Sequence, residues 1–487
     1  MKNPRLITYS MMSLICLVII LTFTVRWYAK QTTLPPGMTV GGWQVGGMEL
    51  QGMQQNWAAQ LARLAALPVQ LQTDQSAVGS QTLPLGELGL RVDDSQLQAV
   101  LQRLFTGTVA ERAKQRWLLR DAHITVPLQI DAAVLDSRVR KQWRALYSRA
   151  PVPAKRVITP SDEITYEAEH FEPRIDTAAL AARLEATLQP ISRQLMQRSS
   201  ASSPDKQQLL TMRIALPVVA EKPTTTVASL QAQGIERKIV EYSTPIIDAA
   251  PGRLHNITAP ATVIHDMLLK PGEIFDYAKV VKQAEQQFGF QESKVILNGK
   301  LVNGIGGGIC QVSTTLYNAA LLSGLEIIER KNHSLMISYA PLGQDATFSS
   351  DGINFRFRNN TGSYLLIRTE TQNNKFTVKL FGQLPEGISY EVKSNILETI
   401  PAPTEYVSNP NLSPTERVKV VDGKEGYIVE TYRITKRNGA TIATDKISKD
   451  KYAPQPTIYA VKESATPPQT SPAPIKIEDG VMGPIFR

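Results

Sequence analysis

The sequence predicts a multidomain α+β protein with an N-terminal transmembrane helix, and three observations predict this class. The chain has 487 residues, which is enough for about three domains of ordinary size. Its hydrophobic content of 42% suffices for packed cores. Apolar residues recur at helical spacing in some stretches and alternate with polar residues in others, so we expect both helices and strands.

Residues 1–30 are predicted to form a cytoplasmic tip and a membrane anchor. Residues 7–25 carry no charge, and this length is just sufficient to span a bilayer as a helix. A cleaved signal peptide is the alternative, but no Ala-x-Ala site follows. Trp27 and Tyr28 instead suit the membrane interface. We therefore expect a single-pass protein held in the plasma membrane by residues 7–25, while cleavage of this segment stays open.

Residues 31–191 are predicted to be a duplicated α+β region. The sequence RVD at 91–93 leads into DSQLQAVLQRL, and RID at 174–176 leads into TAALAARLEATL. Each copy passes from an apolar alternation through Asp into a helical pattern. Asp is a good N-cap, because its carboxylate accepts hydrogen bonds from the first unpaired amides of a helix. A looser match joins residues 50–64 with residues 128–139.

Composition divides the rest of the chain. The polar, Ser-rich stretch that opens residues 192–224 predicts a linker with a lead-in strand, followed by a main domain of mixed pattern at 225–386. Residues 387–463 alternate apolar and polar side chains around glycine turns, which predicts a β-rich domain. These turns lie at Gly423, Gly426 and Gly439. Residues 464–487 are rich in Pro, Ser and Thr, and we expect them to be unordered.

The stretch GIGGGICQVSTTLYNAAL at 304–321 is the most distinctive part of the main domain. It lacks the GK[ST] ending of a phosphate loop. Its glycines permit positive φ and close backbone approach, and helical spacing from Cys310 to Leu322 predicts a helix with the thiol in its first turn. A helix start favours thiolate over thiol and lowers the pKa of a cysteine. The predicted helix places Cys310, Ser313, Thr314 and Tyr317 on its more polar stripe.

Two residues downstream of this helix suit a thiol site. His333 precedes the strand-like run LMISYA, and Asp345 precedes the strand-like run ATFSS. Cysteine, histidine and acid follow this order in transglutaminase-like and papain-like thiol enzymes, where the cysteine attacks, the histidine is its base and the acid orients the histidine. The loop amides could supply an oxyanion hole. A buried structural cysteine with a hydrogen-bonding histidine, or a binding site without chemistry, are the alternatives.

Other clusters are less specific. Arg253, His255 and Asn256 precede an amphipathic stretch and could bind a ligand or cap a helix. Glu273 and Asp276 are more typical of solvated loop acids than of an acid–base pair. No CxxC or HExxH pattern occurs, so we expect neither a metal site nor a cofactor.

The central region resembles the VanW family. The matching text is STPIIDAAPGRLHNITAPATVIHDMLLKPGEIFDY, LNGKLVNGIGGGICQVSTTLYNAALLSGLEIIERKNHS and APLGQDATFSSDGINFRFRNNT, within about residues 240–382. Residues 40–190 look like the peptidoglycan-binding domain commonly placed before VanW, and residues 388–463 look like a five-glycine cell-wall domain. The family motif matches Cys310, Gln311, Ser313, Thr314, His333, Ser334, Asp345 and Asn359/Asn360.

The resemblance implies an envelope protein whose bulk faces peptidoglycan on the outer side of the plasma membrane. The first hypothesis is a protein that binds the glycan or stem peptide and organises the wall. The alternative is a hydrolase or acyltransferase acting on wall peptide or amide bonds through Cys310, His333 and Asp345. The predicted ligand-binding residues are Arg253, His255, Asn256, Gly306, Gly307, Gly308, Gln311, Ser313, Thr314 and Tyr317. The mild net charge of +9 fits an anionic wall polymer, and no motif indicates a nucleic-acid partner.

Overall fold

The computed structural model describes residues 4–76, 78–198, 211–297, 300–462 and 477–481. It divides into two compact units, the first made of residues 1–153 and 169–224 and the second of residues 154–168 and 225–487. The sequence places residues 154–168 in the duplicated region, but they fold with the second unit. The reason is apolar packing, since Ile158 and Ile164 lie against Leu366 and Phe381.

The first unit combines helices with short strands. Its helices are α1 (Pro4–Ala29), α2 (Leu50–Ala65), α3 (Ser95–Phe105), α4 (Val109–Leu118), α5 (Ala132–Gln142), α6 (Arg144–Tyr147) and α7 (Thr177–Arg198), with a 3-10 turn at Leu85–Leu88. Its strands are β1 (Thr39–Val40), β2 (Trp43–Gln44), β3 (Pro68–Gln72), β4 (Gln81–Pro84), β5 (Leu90–Val92), β6 (His123–Ile124), β7 (Leu128–Ile130), β10 (Glu172–Ile175), β11 (Met212–Ala215) and β12 (Val218–Glu221).

Helix α1 contains the predicted anchor. Its segment Thr8–Ala29 has 22 residues and is strongly apolar, and residues 8–24 are exposed. At about 1.5 Å per residue it is long enough to cross a bilayer core of roughly 30 Å. The end of this helix is fixed to α4. Arg112 donates to the Ala29 carbonyl at 2.6 Å, and Arg116 donates to the Gln31 carbonyl at 2.9 Å.

The predicted passage from strand through Asp to helix is confirmed. Strand β10 leads into α7, and Asp176 Oδ1 accepts from the Ala179 amide at 2.9 Å. Strand β7 leads into α5 in the same way, with Asp131 as the N-cap. Asp93 accepts from the Ser95 amide between β5 and α3. The same local chemistry therefore starts a helix three times in this unit.

The strand predicted within 192–224 is present as β11, but residues 192–198 belong to a helix and not to the predicted linker. Helix α7 continues to Arg198. Strand β11 pairs in parallel with β3, and β12 pairs antiparallel with β10. Because their partners lie in the first unit, these two strands complete that unit instead of leading into the next one. Residues 199–210 lie outside the described residues.

The second unit contains the main domain and the β-rich domain. Its helices are α8 (Val227–Gln231), α9 (Pro251–Ile264), α10 (Tyr277–Phe288) and α11 (Ile309–Leu322). Its first strands are β8 (Lys155–Ile158), β9 (Ile164–Glu167), β13 (Arg237–Pro245), β14 (Met267–Leu269), β15 (Ile274–Asp276), β16 (Glu292–Leu297), β17 (Lys300–Ile305), β18 (Glu326–Glu329), β19 (Arg356–Arg358), β20 (Leu365–Gln372) and β21 (Lys375–Gly382). The remainder are β22 (Ile388–Ile400), β23 (Thr404–Ser408), β24 (Val418–Val421), β25 (Gly426–Arg437), β26 (Ala440–Tyr452), β27 (Thr457–Val461) and β28 (Ile477–Glu478).

Helix α11 is the centre of the main domain. It packs on an antiparallel sheet of order β13-β21-β20-β14 and against α9. The predicted helix and the place of Cys310 in its first turn are confirmed. The predicted polar stripe is not a surface, because every residue from Ile309 to Leu321 is buried. The polar side chains of α11 therefore have to find partners inside the protein.

The β-rich character predicted for 387–463 is confirmed by two three-stranded sheets, β22-β25-β26 and β23-β27-β24. This β-rich domain contacts the main domain through polar groups. Arg433 donates to the Leu325 carbonyl at 2.8 Å, and Thr431 donates to the Gly343 carbonyl at 3.1 Å. Asn332 of the main domain donates to the Lys451 carbonyl at 2.9 Å.

The prediction that residues 464–487 are unordered is wrong for residues 477–481. Ile477 and Glu478 form β28, which pairs antiparallel with Leu297 and Ile296 of β16. The composition of this stretch concealed two acids and a valine that are buried in the structure, and these are the residues that hold it in place. Residues 463–476 and 482–487 lie outside the described residues.

Candidate functional site

The glycine loop before α11 is shaped by close approach and by positive φ. Gly306 has φ +90° and Gly308 has φ +118°, a region that L side chains rarely adopt. Gly307 is fixed for another reason, since a Cβ atom there would lie 2.2 Å from the Lys294 carbonyl oxygen. The loop therefore needs glycine at each of these positions, as the sequence predicts.

Asn256 on α9 fixes the glycine loop through hydrogen bonds to backbone groups. Its Nδ2 donates to the carbonyls of Gly307 at 3.0 Å and Gln291 at 2.9 Å, and its Oδ1 accepts from the Gln291 amide at 2.8 Å. The neighbouring His255 does not reach the loop, because its Nε2 lies 3.1 Å from the Gly289 carbonyl. The structure thus gives Asn256 a supporting place and leaves His255 apart from Cys310.

Cys310 is fully buried at the start of α11. Its Sγ accepts from the Phe348 amide at 3.0 Å and donates to the Phe348 carbonyl at 3.4 Å. The amides of Gly308 and Cys310 both donate to Asp479 Oδ1, at 3.2 and 2.9 Å. The predicted amides are therefore present, and a carboxylate of the same chain occupies them.

The expected lowering of the thiol pKa does not occur. Burial raises the pKa of Cys310 well above its ordinary value, and the charge of Asp479 and its hydrogen bond with the thiol raise it further. The helix start would favour a thiolate, but the Asp479 carboxylate lies on the amides that would stabilise it. Cys310 is a neutral thiol in this arrangement.

His333 and Asp345 form the buried pair that the sequence predicts. His333 Nδ1 lies 2.6 Å from Asp345 Oδ2, and the His333 amide donates to the same oxygen at 2.7 Å. Burial alone would raise the pKa of Asp345, but the hydrogen bond and the charges of His333 and Arg330 lower it to about 2. Burial lowers the pKa of His333, and the hydrogen bond and charge of Asp345 outweigh this, so its pKa is raised.

No hydrogen bond between Cys310 and His333 is found within the described part of the chain. The strand predictions for 335–340 and 346–350 are also wrong, because both segments are irregular apart from a bridge at Ser349. Their backbone groups bond locally and to α11, as when Ala346 accepts from Ser313 at 2.7 Å. The structure therefore lacks both strands on which the comparison with transglutaminase-like and papain-like enzymes rests.

Several buried polar atoms between His333 and Thr347 have no hydrogen-bond partner among the described residues. They include His333 Nε2, Tyr339 OH and Thr347 Oγ1. Burial raises the pKa of Tyr339 well above its ordinary value, and the charges of Asp479 and Cys310 add to this effect. Arg253 lies 5.8 Å from the Tyr339 ring, with Nη1 3.8 Å from Asp479 Oδ2. The thiol, Asp479, Arg253 and Tyr339 thus form one cluster.

Of the other predicted ligand-binding residues on α11, Gln311 contacts this cluster, whereas Thr314 and Tyr317 contact other parts of the main domain. Gln311 Oε1 accepts from Arg253 at 3.0 Å, while Gln311 Nε2 donates to Thr244 and to the Pro245 carbonyl. Thr314 accepts from the Ala346 amide at 3.0 Å. The ring of Tyr317 lies 5.1 Å from the Arg330 guanidinium, and burial raises the pKa of Tyr317 to about 12.

Sequence reasoning missed the residues that complete both sides of the site. Arg330 Nη1 lies 2.6 Å from Asp450 Oδ1, and its Nη2 lies 3.2 Å from Asp345 Oδ1. Tyr452 donates to Asp345 from the β-rich domain. The closeness of Arg330 to His333 in the sequence was an available signal, whereas nothing local marked Asp450, Tyr452 or Asp479. Within the described residues no group of three side chains is arranged to hold a metal ion.

Comparison with known proteins assigns both domains of the second unit. Residues 252–381 match the family model described as VanW like protein, and residues 391–461 match the G5 domain model. The chain thus contains a VanW-like domain followed by a G5 domain. The VanW match contains the glycine loop, Cys310, His333 and Asp345, while Asp450 and Tyr452 belong to the G5 match.

Two curated relatives are similar to part of this chain. It is 35% identical over 145 residues to the uncharacterized protein YoaR of Bacillus subtilis, covering 30% of this chain and 48% of the relative. It is 27% identical over 153 residues to the vancomycin B-type resistance protein VanW of Enterococcus faecalis, covering 30% of this chain and 56% of the relative. The chain therefore spans about half the length of these relatives.

Two solved G5 structures are also similar to part of the chain. The IgA1 protease G5 domain is 24% identical, with 16% of this chain and 92% of that chain covered and a TM-score of 0.13. The HP0197 G5 structure is 22% identical, with 15% and 96% covered and a TM-score of 0.11.

Proposed function

We propose that this chain is a plasma-membrane-anchored protein that binds peptidoglycan on the outer side of the membrane and acts in cell-wall organisation. Helix α1 supports the anchor by its length and apolar surface. The VanW and G5 matches support a place on the cell-wall side, since G5 domains are associated with binding of cell-wall components. In this proposal, the first unit with its predicted duplication also binds peptidoglycan.

One observation indicates where on the protein the peptidoglycan would bind. The amides at the start of α11 and the Arg253 guanidinium enclose a carboxylate, that of Asp479. A helix start with a nearby arginine is a site that prefers anions. Peptidoglycan stem peptides carry carboxylates, so the wall offers a ligand of the right charge.

Co-sedimentation of the full chain in detergent with purified peptidoglycan sacculi tests this proposal. We expect the protein to sediment with sacculi and to stay in solution with chitin, which lacks stem peptides. A second arm uses sacculi from which an amidase has removed the stem peptides, and this arm separates recognition of glycan from recognition of peptide. Equal recovery with sacculi and chitin, or none with either, would refute the function.

A thiol hydrolase or acyltransferase is the second candidate, favoured by the buried His333–Asp345 pair with its unpartnered Nε2. In this proposal Cys310 attacks a peptide carbonyl and passes its proton to His333, which returns the proton to the leaving amine. The amides of Gly308 and Cys310 stabilise the oxyanion, and water or an acceptor amine releases the acyl group. This requires Asp479 to leave those amides and the thiol to meet His333.

The enzyme proposal is tested by mass spectrometry of material released from sacculi. Products that are formed by the wild type and lost with both Cys310→Ala and His333→Asn would support it. The same products from wild type and Cys310→Ala would exclude a thiol mechanism. Asp422→Asn is the matched control, because Asp422 is exposed and its ion pair in the described structure is with Lys419.

A further inference from the structure

Residues 477–481 lie as an extended peptide beside the glycine loop. Glu478 and Ile477 pair with β16, and Gly480 forms a parallel bridge with Ser349. The Val481 amide donates to the Ile305 carbonyl at 3.1 Å. Addition of an extended segment to a strand edge is a common way in which proteins bind peptides. The backbone contacts of this segment are therefore those of a peptide seated in a groove.

The side chains of this segment place two acids inside the protein. Asp479 Oδ1 accepts from Gly308 and Cys310, while Arg253 lies 3.8 Å from Asp479 Oδ2. Glu478 Oε2 accepts from the Ser334 amide at 2.7 Å. Both residues are buried, with exposed fractions of 2% for Glu478 and 7% for Asp479. Burial of charge on this scale needs partners built to receive it.

An independent observation is that two buried polar atoms beside the segment form no hydrogen bond with it. His333 Nε2 and Tyr339 OH are buried and have no hydrogen-bond partner in the described portion of the chain. Both lie beside the segment: Ser334, next to His333, donates to Glu478, and Arg253 lies against both the Tyr339 ring and Asp479. Buried polar groups of native proteins are nearly always paired. A ligand with one more polar group than this segment would satisfy them.

The carboxylates of residues 477–481 form the strongest interactions between this segment and the rest of the protein. Strand β28 contributes two residue pairs to its sheet, whereas β16 and β17 share six. Charge-assisted hydrogen bonds are roughly twice as strong as neutral ones, so Asp479 and Glu478 provide most of the attachment. A competing peptide with a carboxylate at the same place makes the same bonds.

We propose that residues 477–481 occupy in cis a groove whose exchangeable ligand is an extended peptide that presents a carboxylate to the amides of α11. This inference rests on the proposed wall-binding function and names the stem peptide, not the glycan, as the ligand class at this site. While the segment is bound, it covers Cys310 and keeps its thiol neutral. Departure of the segment opens the groove to the wall peptide.

The test measures binding in trans of the segment itself. The probe is the blocked, fluorescein-labelled peptide IEDGV, with IENGV as the control peptide, and the receptor is the full chain in detergent. Asp479→Asn weakens the resident segment, so this variant is expected to bind IEDGV at least about tenfold more tightly than the wild type. Asp422→Asn is the matched control and is expected to bind like the wild type.

A second variant guards against damage to the fold around Asp479. Val481 is buried beside Gly306, so Val481→Asp expels the segment without changing the groove. It is expected to bind IEDGV as Asp479→Asn does. Equal binding by all four proteins would overturn the inference, as would binding of IENGV as tight as that of IEDGV.

The sacculus experiment separates this inference from the function on which it rests. If both variants bind IEDGV more tightly but the protein does not bind sacculi, the carboxylate groove is supported and the wall function is refuted. Binding to sacculi that is unchanged by removal of the stem peptides retains the wall function and refutes the groove as its peptide site. Loss of sacculus binding after stem removal, together with tighter IEDGV binding by both variants, supports both.

Discussion

The two sides of the VanW site are equally buried but are completed by different parts of the chain. On the histidine side, Asp345 is held by His333, Arg330 and Tyr452, and Arg330 is paired further with Asp450. On the thiol side, the amides at the start of α11 are held by Asp479 of a five-residue segment.

In our proposal, this difference makes the histidine side the fixed one and the thiol side the one that exchanges. Tyr452 and Asp450 come from β26, which pairs along its length with β25, so the histidine side cannot open without disturbing the G5 domain. The segment on the thiol side is attached through two strand pairs, a bridge at Gly480, the Val481 amide and its carboxylates. The G5 domain therefore builds the permanent side of the site.

The largest effect is expected from Asp345→Asn, which breaks the fixed side. This change leaves Arg330 and His333 without their shared carboxylate, and removal of one partner of a buried ion pair costs about 3–5 kcal/mol. Urea unfolding of the full chain in detergent measures the loss, with Asp422→Asn as control. A loss below about 1 kcal/mol would show that the histidine side is not the rigid one.

Gly307→Ala is expected to come next and tests the loop that both sides share. The added Cβ would lie 2.2 Å from the Lys294 carbonyl oxygen, so the backbone must shift, at a cost of about 1–3 kcal/mol. Gly272→Ala serves as a control for positive φ without crowding, since nothing lies within 4 Å of its Cβ position. A smaller loss of stability in Gly307→Ala than in Gly272→Ala would show that the contact with Lys294 does not constrain the loop.

Tyr452→Phe isolates the contribution of the G5 domain to the site. The phenol donates to Asp345 and accepts from the Gly343 amide at 2.7 Å. Its loss leaves a buried amide unpaired, which costs about 1–2 kcal/mol. Unfolding measured by fluorescence should show this loss of stability. An unchanged free energy of unfolding would mean that the G5 domain does not stabilise the histidine side.

The smallest effect is a pH dependence of the fixed side. The raised pKa of His333 gives stability that is complete below about pH 6.5 and is lost as pH rises through the folded pKa. The Asp345 pKa of about 2 gives stability that is lost as pH falls from about 4 towards that value. The stability difference between wild type and His333→Asn should therefore be greatest between about pH 4 and pH 6.5. A difference that grows above this window would contradict the assignment.

Local patterns in the sequence were sufficient for several elements and for the histidine side of the site. The spacing of apolar residues predicted α11, the glycines predicted the loop, and Asp predicted the helix starts after Asp93 and Asp176. The pairing of His333 with Asp345 followed from their types and order. These features depend on neighbours along the chain or on chemistry that few residue types share.

The rest of the site depends on contacts that local patterns do not encode. Asp479 reaches the Cys310 amide across 169 residues of sequence, from a stretch whose composition indicates disorder. The irregular segments after His333 have the apolar alternation of strands but bond to α11. Burial of α11 on every side also reversed the expected pKa of Cys310, because solvent exposure cannot be read from helical spacing alone.

The most direct test of the exchangeable side is the rate at which iodoacetamide modifies Cys310 across pH. A Cys16→Ser background leaves Cys310 as the single thiol. Asp479→Asn removes a carboxylate that raises the pKa of Cys310 and weakens the segment that covers it. We predict modification at least about tenfold faster near pH 8, with a profile shifted to lower pH. Identical profiles with and without Asp479→Asn would contradict the account.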